Sequence, residues 1–197
     1  MRIVAGKFRS RQIKSLKGHE LRPTSDRLRE TLFNVLSPVI EDSRFLDIFA
    51  GTGAIGIEAI SRGAREVVFL ENHIPAVKLI RENLATLEIH RGFQIVAGDA
   101  LHSLEDLTAS NDAARSAFDI IFLDPPYAAT QEYELVLQLL GGSALLAQSG
   151  LAIAEHHHKL RLPEKAENLR RYRVLRQGDA ALSFYRHGHA PGESRHP

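Results

Sequence analysis

The stretch Asp47-Ile48-Phe49-Ala50-Gly51-Thr52-Gly53-Ala54-Ile55-Gly56 decides the fold of this chain. Its glycines follow the spacing G-x-G-x-x-G, directly after the apolar run Phe45–Phe49 and at the start of a segment with helical periodicity to about Arg62. Glycine permits a tight turn and close backbone approach, and the free amides at a helix start favour negative charge, so strand, turn and helix form a ligand cradle. Gly63 stands where a helix commonly ends on a left-handed residue.

Outward from this unit, short apolar runs alternate with amphipathic stretches. Val67–Leu70, Phe93–Val96, Phe118–Leu123 and Leu151–Glu155 read as further strands. Between them, Val77, Ile80, Leu84 and Leu87 form a buried helical stripe, Leu101–Leu107 a short helix, and residues 131–140 a helix broken by Gly141 and Gly142. Such alternation implies right-handed crossovers: an α/β, Rossmann-like fold with a mainly parallel sheet. Tyr172–Arg176 and Ala180–Tyr185 flank Gly178-Asp179 and predict a C-terminal antiparallel hairpin. Ahead of the unit, residues 1–16 alternate loosely around Gly6, as in a small β-hairpin. A helix capped by Thr24 or Ser25 then runs to about Leu36, with Leu28, Leu32, Val35 and Leu36 on one face and Arg27 and Arg29 elsewhere. The expected organisation is a basic N-terminal extension over 1–40, a cofactor-binding domain over 41–187 and a polar tail over 188–197.

The 197 residues suffice for one compact domain. The absence of cysteine excludes disulfides, thiolate metal sites and a thiol nucleophile, and fits a reducing compartment. No signal peptide is evident, and no stretch approaches the roughly 18 apolar residues of a spanning helix. A cytoplasmic protein without a membrane partner is expected. The net charge of +1 hides an uneven distribution. Residues 1–29 hold nine Lys/Arg against two acids, 30–158 seven against eighteen, and 159–186 eight against three. Basic flanks around an acidic core suggest a polyanion held beside a reaction centre.

Glu71 ends the second strand, where a carboxylate can accept both hydroxyls of a ribose. The glycine turn alone fits NAD and S-adenosylmethionine equally. Asp47 tips the reading to S-adenosylmethionine, because it can hold a cationic amino-acid end that a pyrophosphate lacks. Asp99, after Gly98, is placed for an adenine amino group; Phe49 and Ala100 complete the cofactor candidates with Gly51 and Gly53. More local roles are a satisfied strand-end carboxylate for Asp47 and a helix N-cap for Asp99.

Strand four ends in Asp124-Pro125-Pro126-Tyr127, facing the same crevice. The prolines fix φ and remove amide donors, leaving a rigid elbow with inward carbonyls. Asp124 and the Pro125 carbonyl offer two acceptors to the two hydrogens of an exocyclic amine, and Tyr127 a face on which its ring can stack. Drawing those hydrogens out of the ring plane frees the nitrogen lone pair for in-line methyl transfer. The chemistry does not distinguish guanine N2 from adenine N6. A rigid turn with an N-capping aspartate is the alternative without chemistry.

Four passages, Arg2–Arg9, Arg22–Asn34, Leu46–Gly56 and Phe122–Tyr127, with the ending Gly178–Tyr185, resemble the bacterial small-subunit (16S) ribosomal RNA guanine-N2 methyltransferases of the DPPY type over nearly the full chain. The resemblance implies that Asp47, Gly51, Gly53, Glu71 and Asp99 bind the cofactor and that Asp124, Pro125 and Tyr127 handle guanine. It further implies phosphate contacts at Lys7, Arg9 and Arg11, and closure over RNA by the segment holding Arg22, Thr24, Arg27 and Arg29. The implied partner is 16S ribosomal RNA in an assembling or assembled small subunit, met by a monomer. An adenine-N6 methyltransferase, a protein-glutamine methyltransferase and a non-catalytic RNA-binding assembly factor are the competing readings. His156-His157-His158 is expected in a solvated or RNA-facing loop, with no metal.

Overall fold

The structure, a computed structural model, describes residues 1–15, 25–109, 117–126 and 130–188. Helix α1 (Asp26–Leu36) starts where the sequence predicts: the Ser25 hydroxyl accepts from the Leu28 amide at 3.2 Å. Thr24, the other candidate cap, lies outside the described residues. The chain continues through β1 (Arg44–Ile48), α2 (Ala54–Ser61), β2 (Glu66–Glu71), α3 (Ile74–Thr86), β3 (Phe93–Ala97), α4 (Ala100–Ala109), β4 (Phe118–Leu123) and α5 (Thr130–Gly142). It ends in β5 (Leu146–His157), the short β6 (Lys165–Ala166), β7 (Leu169–Gln177) and β8 (Ala180–His187).

The strands form one sheet in the order β3-β2-β1-β4-β5-β8-β7-β6. β1 to β5 pair in parallel, and β8, β7 and β6 add antiparallel strands at one side. The expected mainly parallel Rossmann-like sheet with its C-terminal hairpin is therefore the architecture found. Apolar residues on each face supply one core layer. Leu32, Phe33, Ile57, Phe69, Ile80, Phe122, Ile153 and Phe184 lie in the layer under α1, α2 and α3. Leu46, Val68, Leu104, Ile121, Leu137, Ala152 and Tyr185 lie in the layer under α4 and α5. Burial on both faces explains the apolar run Ile120–Leu123 in β4.

The first fifteen residues form a loop closed by Ile3 N to Arg11 O and Ile13 N to Met1 O, both 3.0 Å, with one antiparallel bridge between Arg2 and Gln12 in place of a full hairpin. This loop packs on α2 and α3. The buried Glu58 carboxylate accepts from the amides of Val4 at 2.7 Å and Ala5 at 2.9 Å, and Asn83 Oδ1 accepts from the Lys14 amide at 2.8 Å.

Three expectations are corrected. Gly141 and Gly142 end α5 from within, as its last two residues, instead of standing beyond it. A Cβ on Gly141 would stand 2.3 Å from the Ala166 carbonyl oxygen, so glycine there lets the helix lie against β6. β5 is twelve residues long, because Leu146 pairs with Phe118 ahead of a register shift and residues 152–157 pair with β8. His156 is therefore inside a strand and buried, not in a solvated loop, with Nε2 2.8 Å from the Ser183 hydroxyl across the pairing. Among the described residues no helix is long and apolar enough to cross a membrane.

Candidate active site

Parallel pairing brings the carboxyl ends of β1, β2, β4 and β5 to one edge of the sheet, where ligands of open α/β folds collect. The register sets Asp47 beside Phe69 and Phe122, and Leu123 beside Ala154, so Asp124 and Glu155 follow on neighbouring strands. Strand alternation, continued through Asp124, turns Asp47, Glu71, Asp124 and Glu155 to the face of Phe69, Phe122 and Ile153. Four acids thus stand in a row along that edge. Glu155 is absent from the sequence candidates, although it closes the expected strand Leu151–Glu155, the kind of position that marked the other three.

Within the glycine turn the backbone is left-handed at Phe49 (φ 62), Gly51 (φ 55) and Gly53 (φ 75). Two carboxylates hold it. Glu71 accepts from the Gly51 amide at 2.6 Å and the His73 amide at 2.8 Å, and Asp47 accepts from the Gly56 amide at 2.9 Å. The third glycine is a packing requirement, since a Cβ on Gly56 would lie 2.2 Å from the Phe69 ring. Burial, opposed by the Gly56 hydrogen bond and assisted by Glu71, pushes the Asp47 carboxyl up to about 8. A cation placed beside Asp47 would reverse that penalty.

Asp99 is exposed and caps α4 by accepting from the His102 amide at 3.1 Å, and Ala100 is buried at the helix start. Glu132, in the first turn of α5, has its proton affinity raised by burial and by Asp99. Asp124 is partly covered, with Pro125 buried behind it and Pro126 exposed. Burial, then repulsion from Glu155 and Asp47, drives the Asp124 carboxyl well above the usual carboxylate range. Tyr127 lies outside the described residues.

Lys7, Arg9, Arg11 and Arg27 are exposed, whereas Arg22 lies outside the described residues. Arg29 is corrected: it is wholly buried, with Nη2 donating to the Arg2 carbonyl at 2.7 Å and to Asp26 at 2.6 Å, and it presents nothing to a phosphate. His157, His158 and Asp179 bring their ligand atoms within 4.8 Å of one another. His157 Nδ1, however, accepts from the Lys159 amide at 3.2 Å.

A family model described as conserved hypothetical protein 95 matches residues 1–186. The chain belongs to that family. It is 34% identical over 194 residues to the ribosomal RNA small subunit methyltransferase D of Escherichia coli K12, covering 98% of this chain and 93% of that protein. The solved structure of the Escherichia coli protein yhhF superposes with a TM-score of 0.81 at 32% identity, covering 96% and 99% of the two chains. A hypothetical protein of Thermus thermophilus superposes with a TM-score of 0.77 at 32% identity, covering 93% and 98%. This family member is an enzyme, an S-adenosylmethionine-dependent methyltransferase. The donor set fits that cofactor: Asp47 is a buried acid made costly by burial, Glu71 is an acid at the end of β2, and the turn between them is held open by glycine.

Proposed function

We propose that this enzyme methylates the exocyclic N2 of a guanine in 16S ribosomal RNA, within an assembling or assembled small subunit, acting as a cytoplasmic monomer. One observation carries the reading: Asp124-Pro125-Pro126 follows β4 directly, beside the acids and glycine turn that fit S-adenosylmethionine. The ribosomal substrate rests on the likeness to the small-subunit enzyme, whose name states it.

Asp47 would meet the cationic amino-acid end of the cofactor, Glu71 the ribose, and Asp99 with Ala100 the adenine, in a turn shaped by Phe49, Gly51 and Gly53. Ile74, 67% exposed at the start of α3, adds an apolar surface for the adenine ring. When bound, S-adenosylmethionine supplies an electrophilic methyl on a cationic sulfur. Asp124 and the Pro125 carbonyl accept the two N2 hydrogens, and Tyr127 stacks on the base. A paired guanine would first have to leave its helix. The amine loses one proton as its new bond forms. Asp124, whose carboxyl binds a proton more tightly than usual, would take it in its ionised form and pass it to solvent. Lys7, Arg9, Arg11 and Arg27 would hold phosphates outside the crevice, with Arg22 and Thr24 closing over it.

Small subunits lacking the modification, incubated with methyl-labelled cofactor and digested to nucleosides, should carry label on guanine alone. Label on adenine or on protein would defeat the assignment. Asp124→Ala should lower single-turnover methylation by about 10³-fold, within the range for a lost acid–base group, while cofactor affinity stays within about threefold. Wild-type turnover in that variant would remove Asp124 from the reaction.

A further inference from the structure

We infer that Glu155 determines base specificity, its carboxylate accepting the N1–H of the target guanine beside the N2 amine held at Asp124; this rests on the guanine reading above. The geometry begins with the sheet. β4 and β5 run parallel with Leu123 paired to Ala154, so the next residues, Asp124 and Glu155, lie side by side at the ligand-binding edge. Both follow, by alternation, residues of the same core layer, Phe122 and Ile153. Two carboxyls on neighbouring strands, turned to the same face, can converge on two adjacent donors of one base edge. Guanine presents N1–H and the N2 amine next to each other.

The Glu155 backbone is held from several directions. Tyr133 donates its hydroxyl to the Glu155 carbonyl oxygen at 2.7 Å in a buried contact. Across the sheet Glu155 pairs with Leu182, and the following residue, His156, is anchored on Ser183. The residue is 6% exposed. In so dry a setting a hydrogen bond from a ligand donor counts for more than in water, and a second acceptor in the same place is disfavoured. Adenine offers a lone pair at N1 where guanine offers a hydrogen, so a Glu155 oxygen that accepts from guanine meets a second acceptor in adenine and disfavours it. Repulsion from Glu155 also raises the proton affinity of Asp124, consistent with two carboxyls converging on one site.

The test compares small subunits assembled with guanine or with 2-aminopurine at the modified position. The analogue keeps the N2 amine and replaces N1–H by a lone pair. The wild-type enzyme should methylate the guanine particle at least about 100-fold faster, since a site built around a donor rejects the analogue that lacks it. Glu155→Gln, whose amide can accept or donate, should lower guanine turnover about tenfold and narrow the preference to within about tenfold. Glu155→Asp should retain most of it. Cofactor affinity should stay within about threefold in all three proteins. Equal wild-type rates on the two particles would overturn the inference without any variant. An unchanged preference in a folded, cofactor-binding Glu155→Gln protein would overturn it as well. If wild-type label appears on adenine, the guanine reading itself has failed; if it appears on guanine with no dependence on N1–H, only the role of Glu155 has.

Discussion

Asp47 shows how a single carboxyl couples the fold to its ligand. It is 2% exposed, accepts one hydrogen bond from Gly56, and faces Glu71 without a neighbouring cation among the described residues. Its proton affinity is raised from the ordinary 3.8 to about 8. The folded state therefore binds a proton that the unfolded chain releases, and the stability this provides is present at low pH and is lost as pH rises from about 4 to about 8. A cationic ligand group needs the ionised form. Cofactor binding at pH 7 should accordingly release close to one proton, and affinity should tighten as pH rises from about 6 to about 8. Calorimetry in buffers of different ionisation enthalpy measures that proton directly. Asp47→Asn should abolish the release and weaken binding by about tenfold; a proton count unaffected by the substitution would place the titration elsewhere.

At the scale of elements, α2 serves two neighbours at once. Its inner side lies on β2 through Gly56, while Glu58 and Ser61 fasten the first residues of the chain. Glu58 is fully buried, and Arg62 donates to it at 2.8 Å in addition to the two loop amides. Glu58→Ala would strand those donors in a dry site and should cost about 3 kcal/mol of stability, read by denaturant unfolding. Amide exchange should speed up selectively at Val4 and Ala5. In β5, burial lowers the proton affinity of His156, with Arg171, His157 and Arg176 adding to the effect. The fold holds this ring neutral, so its contribution is complete above pH 6.5 and is lost as pH falls below that value. Acidification from pH 7 to 5.5 should lower the melting temperature of the wild type more than that of His156→Asn. The parallel half of the sheet was legible because strands covered on both faces read as apolar runs and their helices as clean stripes. β5 was harder, since Gln148, Ser149 and Gly150 interrupt its apolar pattern where the pairing changes register. Arg29 was misread for its charge: spacings of four to Phe33 and three to Leu36 put it on the buried stripe of α1. Asp124 stood out through the prolines behind it, whereas Glu155, at the end of the expected strand Leu151–Glu155, was followed by histidines that pointed to a solvated loop.

For the whole molecule, charge is segregated by position. Arg9 and Arg11 project from the N-terminal loop, and Arg11 also donates to the Thr86 carbonyl oxygen at 3.0 Å at the end of α3. Reversing both to Glu should weaken binding of small-subunit RNA and lower the slope of log affinity against log salt by about 2. Melting temperature and cofactor affinity should remain near wild type. An unchanged salt slope would show that phosphates do not reach this loop. The row of Asp47, Glu71, Asp124 and Glu155 has a bearing on how an RNA strand can approach. Burial keeps Asp47 and Asp124 protonated to higher pH than ordinary carboxyls, and a phosphate brought beside them would deepen that cost. On the proposed RNA substrate, the crevice would therefore favour an uncharged nucleobase over the sugar–phosphate chain that carries it.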